Sequence, residues 1–323
     1  MNVRAAVCPR HGPPEVVRVE ERAVAAAGPG QIGVRVAVAA VNFPDVLLVA
    51  GSYQVSVPTP FVPGSEFGGI VDEIGPQTSG FAIGDRVTGT GMFGAFAERV
   101  VVDAASLALI PQEVDLQAAA AFGVAHRTAY HTLRSAARLS AGDELVVLGA
   151  GGGVGLAAVQ LGVALGAHVT AVASSPEKLE AAGHYGAARL INYTTDHLRS
   201  ALRSALPDGA DIVIDPVGGD LSEPALRSLG RGGRFVTVGF ASGTIPRIPL
   251  NLLLIKGVQV LGFQFQDVPP DEFTRNEQAL HELLTTGRVK PHVGAIFSLD
   301  NTAAALRHVA DGRAIGKVLI DLS

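Results

Sequence analysis

The chain has 323 residues, room for about two domains. With 48% hydrophobic and 17% charged residues it is not a disordered polymer, and a net charge of −5 without a long basic block excludes nucleic acid or an anionic membrane as its main partner. Its single cysteine, Cys8, excludes an intramolecular disulfide and fits a reducing compartment, read here as the cytoplasm.

The first 20 or so residues carry charges throughout, so no secretory signal is expected. Up to about residue 110 the chain reads as strands: VRAAV, EVVRVE, IGVRVAVAAVNF, FGGIVDEIG, DRVTGT, AFAERVVVD and LALI, parted by Gly and Pro clusters. Val34, Val36 and Val38 alternate with Arg35, Ala37 and Ala39, which predicts one inward face. From Asp115 the alanine-rich run to Leu139 reads as helix. From Asp143 the texture alternates: strand ELVVLGA, helix VGLAAVQLGVALGA, strand HVTAVAS, helix SPEKLEAAGHYGA, strand RLINY and helix TDHLRSAL. Then come strand ADIVIDPVGG, helix DLSEPALRSL, strand GGRFVTVGF, helix NLLLIKG and strand VQVLGF. Such alternation predicts an α/β fold, with a doubly wound parallel sheet covered by helices on both faces. A helix over 269–287, with Phe273, Leu280, Leu283 and Leu284 on one face, and a helix over 301–310 precede the final run KVLIDL.

Between Leu145 and Ser175 there is no Asp, Glu, Lys or Arg, which is long enough to span a bilayer. Five glycines in its first third break helix propagation. The stretch therefore reads as buried strand, turn, helix and strand, and no membrane partner is expected.

Within it, Ala150-Gly151-Gly152-Gly153-Val154-Gly155 fits the frame G-x-G-x-x-G with Ala at the first position, which suits a negative φ there. Gly152 would let the backbone approach a pyrophosphate, and Gly155 would let the helix pack on the strand. The helix N-terminus at Gly153 and Val154 would supply N–H groups and partial positive charge. A bare need for small residues at a helix–sheet crossing is the alternative, but it would ask only for Gly155. An NAD site wants an acid at the end of the next strand. Here that strand ends in Ser174-Ser175-Pro176, Lys178 follows, and Tyr193 closes the strand after it. Hydroxyls and a cation suit a 2′-phosphate, so NADPH is expected. Ser175 reads equally as a helix cap and Lys178 as a solvated lysine.

The runs VNFPDVLLVAGSYQ, PFVPGSEFGGIVDEIG, AGGGVGLAAVQLG, INY, DPVGGD and VGFASGTIPRIPLNLLLIKG, in this order over nearly the whole chain, resemble the quinone oxidoreductase (zeta-crystallin-like) branch of the medium-chain dehydrogenases/reductases. The resemblance implies a β-rich GroES-like catalytic domain from both chain ends, residues 1–124 and 263–323. It implies an inserted Rossmann domain over 125–262, and a homodimer formed by pairing VQVLGF across a two-fold axis. Zinc relatives carry Cys at the position resembling Asn42 and His within the motif resembling Gly64-Ser65-Glu66, so no metal site is expected. Without a Lewis acid, an acceptor activated by conjugation is favoured. The expected activity is NADPH:quinone reduction, with reduction of α,β-unsaturated carbonyl compounds as the alternative. A crystallin-like NADPH-binding structural protein stands outside the enzymes.

The resemblance further implies catalytic places for Asn42, as a donor to the developing oxyanion, and for Tyr53, as proton donor or pocket wall. Asn42 reads equally as a turn residue, and Asp45 as structural. Thr128, Val217 in the Asp215–Gly219 turn, Phe240, Phe263, Phe265 and Arg313 resemble cofactor contacts. Packing is an equal reading for Phe265, and a surface place for Arg313. His126 and His131 read as structural histidines.

Overall fold

In chain order the computed structural model, which describes residues 1–323, runs β1 (Asn2–Val7), β2 (Arg18–Ala23), β3 (Gln31–Val41), α1 (Phe43–Ala50), β4 (Glu66–Ile74), β5 (Arg86–Thr90), β6 (Arg99–Asp103), β7 (Leu107–Leu109) and α2 (Leu116–Phe122). It continues with α3 (Ala125–His131), β8 (Glu144–Leu148), α4 (Gly153–Ala164), β9 (His168–Ala173), α5 (Pro176–His184), β10 (Arg189–Asn192), α6 (Leu198–Ala205), β11 (Ala210–Asp215), α7 (Ser222–Ser228), β12 (Leu229–Thr237), α8 (Asn251–Lys256), β13 (Gln259–Gly262) and α9 (Pro270–Thr285). It ends with β14 (Val293–Ser298), α10 (Thr302–Ala310) and β15 (Lys317–Asp321).

The chain divides into two compact units: Met1–Ala125 with Pro291–Ser323, and His126–Lys290. In the first, β14-β15-β3-β4-β5-β7 form one sheet, β6 adds to β3, and β1 pairs with β2 apart from it. Strand β3 keeps the predicted alternation only as far as Val36: its register against β4 shifts between Val36 and Val38, so Ala39 joins Val34 and Val36 in one core while Val38 packs with Ala120, Ala121 and Leu319 in another. Its inward face packs on Val71, Val87, Phe96 and Ile320. In the second unit, six parallel strands stand in the order β10-β9-β8-β11-β12-β13. Numbered within that sheet this is 3-2-1-4-5-6, the dinucleotide-binding order. Its core includes Val146, Leu148, Leu202, Val213 and Phe235.

Three further expectations change. The segment 263–290, expected with the first unit, groups with the second. Helix α9 is tied to α3: Glu277 pairs with Arg127 and with His131 Nε2, both at 2.8 Å, and His131 stacks on Phe273 with ring centroids 4.8 Å apart. The helix expected over 115–139 breaks between α2 and α3, because Val124 gives its N–H to the Glu66 carboxylate at 2.7 Å. A short π-helical stretch, Thr132–Ala136, then follows α3. Finally, the run read as one strand to Phe43 stops at Val41. Asn42 and Asp45 form a reciprocal capping box that opens α1, with Pro44 in its first turn.

Candidate active site

The parallel strands point their carboxyl ends to one edge of the sheet, where open α/β folds bind ligands. Val217 follows β11, Phe240 follows β12, and Phe263 and Phe265 follow β13. At the β8–α4 turn the left-handed residue is Gly149, with φ +60°. The expected frame was therefore right about Ala150, whose φ is negative, but missed that the turn is made one residue earlier. A Cβ on Gly155 would stand 2.1 Å from the Gly149 carbonyl oxygen, so helix and strand pack too closely there for any side chain. On Gly152 the nearest atom would be 3.5 Å away. The fold does not require glycine at 152; a ligand approaching the backbone would. Gly152 is the N-cap of α4 and brings no capping side chain to the first-turn N–H groups of Gly153, Val154 and Gly155.

Ser174, Lys178 and Tyr193 come together at the ends of β9 and β10. Lys178 Nζ donates to Ser174 Oγ at 3.0 Å, and the Tyr193 N–H bonds the Ala173 carbonyl at 3.1 Å. The Lys178 stem lies across Gly151. Partial burial lowers its ammonium from the ordinary lysine value. Ser175 is the N-cap of α5, accepting the Lys178 N–H. Asp215 is wholly structural: one oxygen accepts the N–H groups of Val217 and Gly218 at 2.8 Å, the other the Ser222 hydroxyl at 2.5 Å. Thr128 is half-buried on α3. Phe265 meets Phe263, His131 and Phe273 edge-on, with the Arg127 guanidinium 5.6 Å over its ring, so packing accounts for it. Arg313 belongs to the first unit, where it is exposed and paired with Asp311 at 2.8 Å.

In the first unit, Asn42 is buried at the centre of a polar network. Its Oδ1 accepts from Lys317 Nζ at 2.6 Å; its Nδ2 donates to Ser65 Oγ at 3.0 Å and to Glu66 at 2.9 Å. Lysine can only donate and a carboxylate only accept, so the amide orientation is forced. Lys317 also pairs with Glu66, both nearly inaccessible, and the other Glu66 oxygen takes the Val124 N–H. Both amide hydrogens of Asn42 are thus committed, which leaves no donor for an oxyanion. Tyr53 is half-buried against the core of this unit, and its hydroxyl makes no hydrogen bond in the protein. Lys317 escaped sequence reading because a lysine opening an apolar strand looks like a solvated one; its partners lie 251 and 275 positions away.

A family model described as "Alcohol dehydrogenase GroES-like domain" matches residues 28–112, and one described as "Zinc-binding dehydrogenase" matches 153–283. The chain is 38% identical to "Quinone oxidoreductase-like protein 2" of Bos taurus over 99% of its own length and 93% of the relative's. It belongs to the quinone oxidoreductase branch of the medium-chain dehydrogenases/reductases. Among solved structures it superposes on the Escherichia coli quinone oxidoreductase complexed with NADPH with a TM-score of 0.90, at 27% identity over 99% of both chains. A structure described as an NAD-dependent alcohol dehydrogenase gives 0.91 at 29% identity, over 99% of this chain and 100% of that one. The chain is accordingly an oxidoreductase of this superfamily. No helix is long and apolar enough to cross a membrane. The donor set present does not fit the zinc of the second family model: an amide, a hydroxyl and an ammonium stand around Glu66, and nowhere do three His, Cys, Asp or Glu side chains gather as a metal site.

Proposed function

We propose that this oxidoreductase transfers hydride from NADPH to a quinone without a metal ion. Helix α4 would hold the pyrophosphate at Gly152–Gly155, and Ser174 and Lys178 would hold the 2′-phosphate with charge-assisted bonds. When bound there, NADPH supplies the hydride. The chain's own work is to bind, orient and stabilise charge. The observation that carries the reading is the Asn42–Ser65–Glu66–Lys317 network, which offers no Lewis acid and so favours an acceptor already activated by conjugation. A homodimer accompanies this reading: β13 is an edge strand whose Val260 is exposed, as are Leu254 and Ile255 of α8. Sedimentation at twice the mass of one chain would support it; a monomer at micromolar concentration would refute it.

The direct test is NADPH oxidation by EDTA-treated protein with 1,4-benzoquinone and with a simple enal. Rapid turnover with the quinone is expected. A strong preference for the enal would make this a double-bond reductase on the same scaffold. NADPH binding without turnover of either would refute the reductase reading.

A further inference from the structure

The first unit holds a cavity that the Asn42 network does not explain. Its volume is about 560 Å³, within the roughly 300–1,000 Å³ of small-molecule sites. Every lining residue lies between Val3 and Val102, so this unit builds the cavity without the second. Strands β1 and β2 pair with each other outside the large sheet, and a bridge from Ala5 to Ala97 ties β1 to the run that precedes β6. Gly91, Gly94, Ala95 and Ala97 in that run leave room that larger side chains would fill.

The wall is mainly apolar, with Val57, Phe61, Val62, Phe67 and Val100 as its larger members and Ser65 and Thr90 as its hydroxyls. No Asp or Glu lines it, and its two charged residues are both arginines, Arg22 and Arg99. Arg99 is neutralised: its Nε donates to Asp72 at 2.8 Å and its Nη2 to Glu73 at 2.5 Å. Arg22, half-buried near the end of β2, makes neither a hydrogen bond nor an ion pair with its guanidinium. Glu20, on the same face of β2, is taken by Arg18, and Glu21 lies on the opposite face. Across the hairpin Arg4 engages Glu98 and Asp300.

A half-buried guanidinium without a counter-ion, beside apolar space, calls for an anion with an apolar body. Its planar fork matches a carboxylate with two parallel bonds, and one free cation balances one negative charge. Water suits the space poorly, because each molecule needs several polar partners and the wall offers few. We propose that this cavity binds an alkyl monocarboxylate, with the carboxylate on Arg22 and the alkyl chain against Phe61, Phe67 and Val100. The assignment stands apart from hydride transfer and uses no residue of the cofactor-binding unit. Ser65 is part of the wall and accepts from Asn42 at 3.0 Å, so an occupant reaches the edge of the Asn42 network.

Calorimetric titration of the full chain with decanoate, below its micellar concentration and without NADPH, should show one saturable site. Each buried CH₂ is worth about fourfold in affinity, so octanoate should bind roughly 15-fold more weakly. Decanol, which lacks the charge, should bind on the order of tenfold more weakly than decanoate. Arg22→Gln should weaken decanoate by the same factor, leave decanol unchanged and keep the wild-type Tm, because the guanidinium has no protein partner to lose. The chain has no tryptophan, so Ala23→Trp at the exposed rim supplies a lone reporter whose emission should shift as decanoate saturates. Decanoate that fails to saturate, that binds Arg22→Gln as tightly as wild type, or that saturates without moving the reporter overturns the site. Decanol binding as tightly as decanoate overturns the carboxylate assignment. With no NADPH or acceptor in these titrations, neither failure bears on the reductase reading.

Discussion

Lys317→Met should unfold the first unit far more readily than any surface substitution. Lys317 and Glu66 are 3% and 0% exposed, and the ammonium is the only cation on that carboxylate. Removing it strands a buried anion that retains only the Asn42 amide and the Val124 N–H. Breaking a buried pair in this way costs about 3–5 kcal/mol. In a unit of this size each kcal/mol moves the midpoint roughly 2–4 °C, so the loss in Tm is roughly 6–20 °C by calorimetry. The double variant Lys317→Met with Glu66→Gln removes both charges and leaves an amide that still accepts from Val124. It should recover at least about 2 kcal/mol relative to the single variant, because a neutral replacement of a buried pair is often no worse than the pair. A single variant as stable as the wild type, or a double variant no better than the single, would refute the claim that the lysine is held there by charge.

Gly155→Ala should destabilise the second unit by about 1–3 kcal/mol, since its methyl meets the Gly149 carbonyl; Gly152→Ala should leave the Tm unchanged yet abolish most NADPH affinity in a fluorescence titration. Lys178→Ala should weaken NADPH by roughly 10- to 100-fold and NADH little, and equal losses would sink the 2′-phosphate role. Asp45 has a folded pKa raised from 3.8 to about 7, so the stability it contributes is fully present below pH 3.8 and is lost as pH rises through 7. Denaturant titrations from pH 4 to 8 should show about 4 kcal/mol more loss in wild type than in Asp45→Asn, and parallel curves would contradict the assignment.

What could be read from the sequence was what neighbouring residues decide among themselves. The Ser175 cap and the crossing at Gly155 are settled within a few positions and stand as expected, whereas the alternation in β3 holds only to Val36, because the shift that follows is set by pairing with β4. Even α1 left a local mark, the Asn42-x-x-Asp45 spacing of a capping box, but the valines before it favoured a longer strand. The network around Asn42 left none, because α1, β4 and β15 bring its members together from opposite ends of the chain. The resemblance could therefore say which zinc ligands are missing at 42 and 65, but not that a lysine ammonium stands beside Glu66. Nor could it say that one oxygen of the buried Asp45 goes without a donor. An absent histidine reads in sequence as a lost function. In the folded chain the two positions belong instead to a closed network of amide, hydroxyl, carboxylate and ammonium.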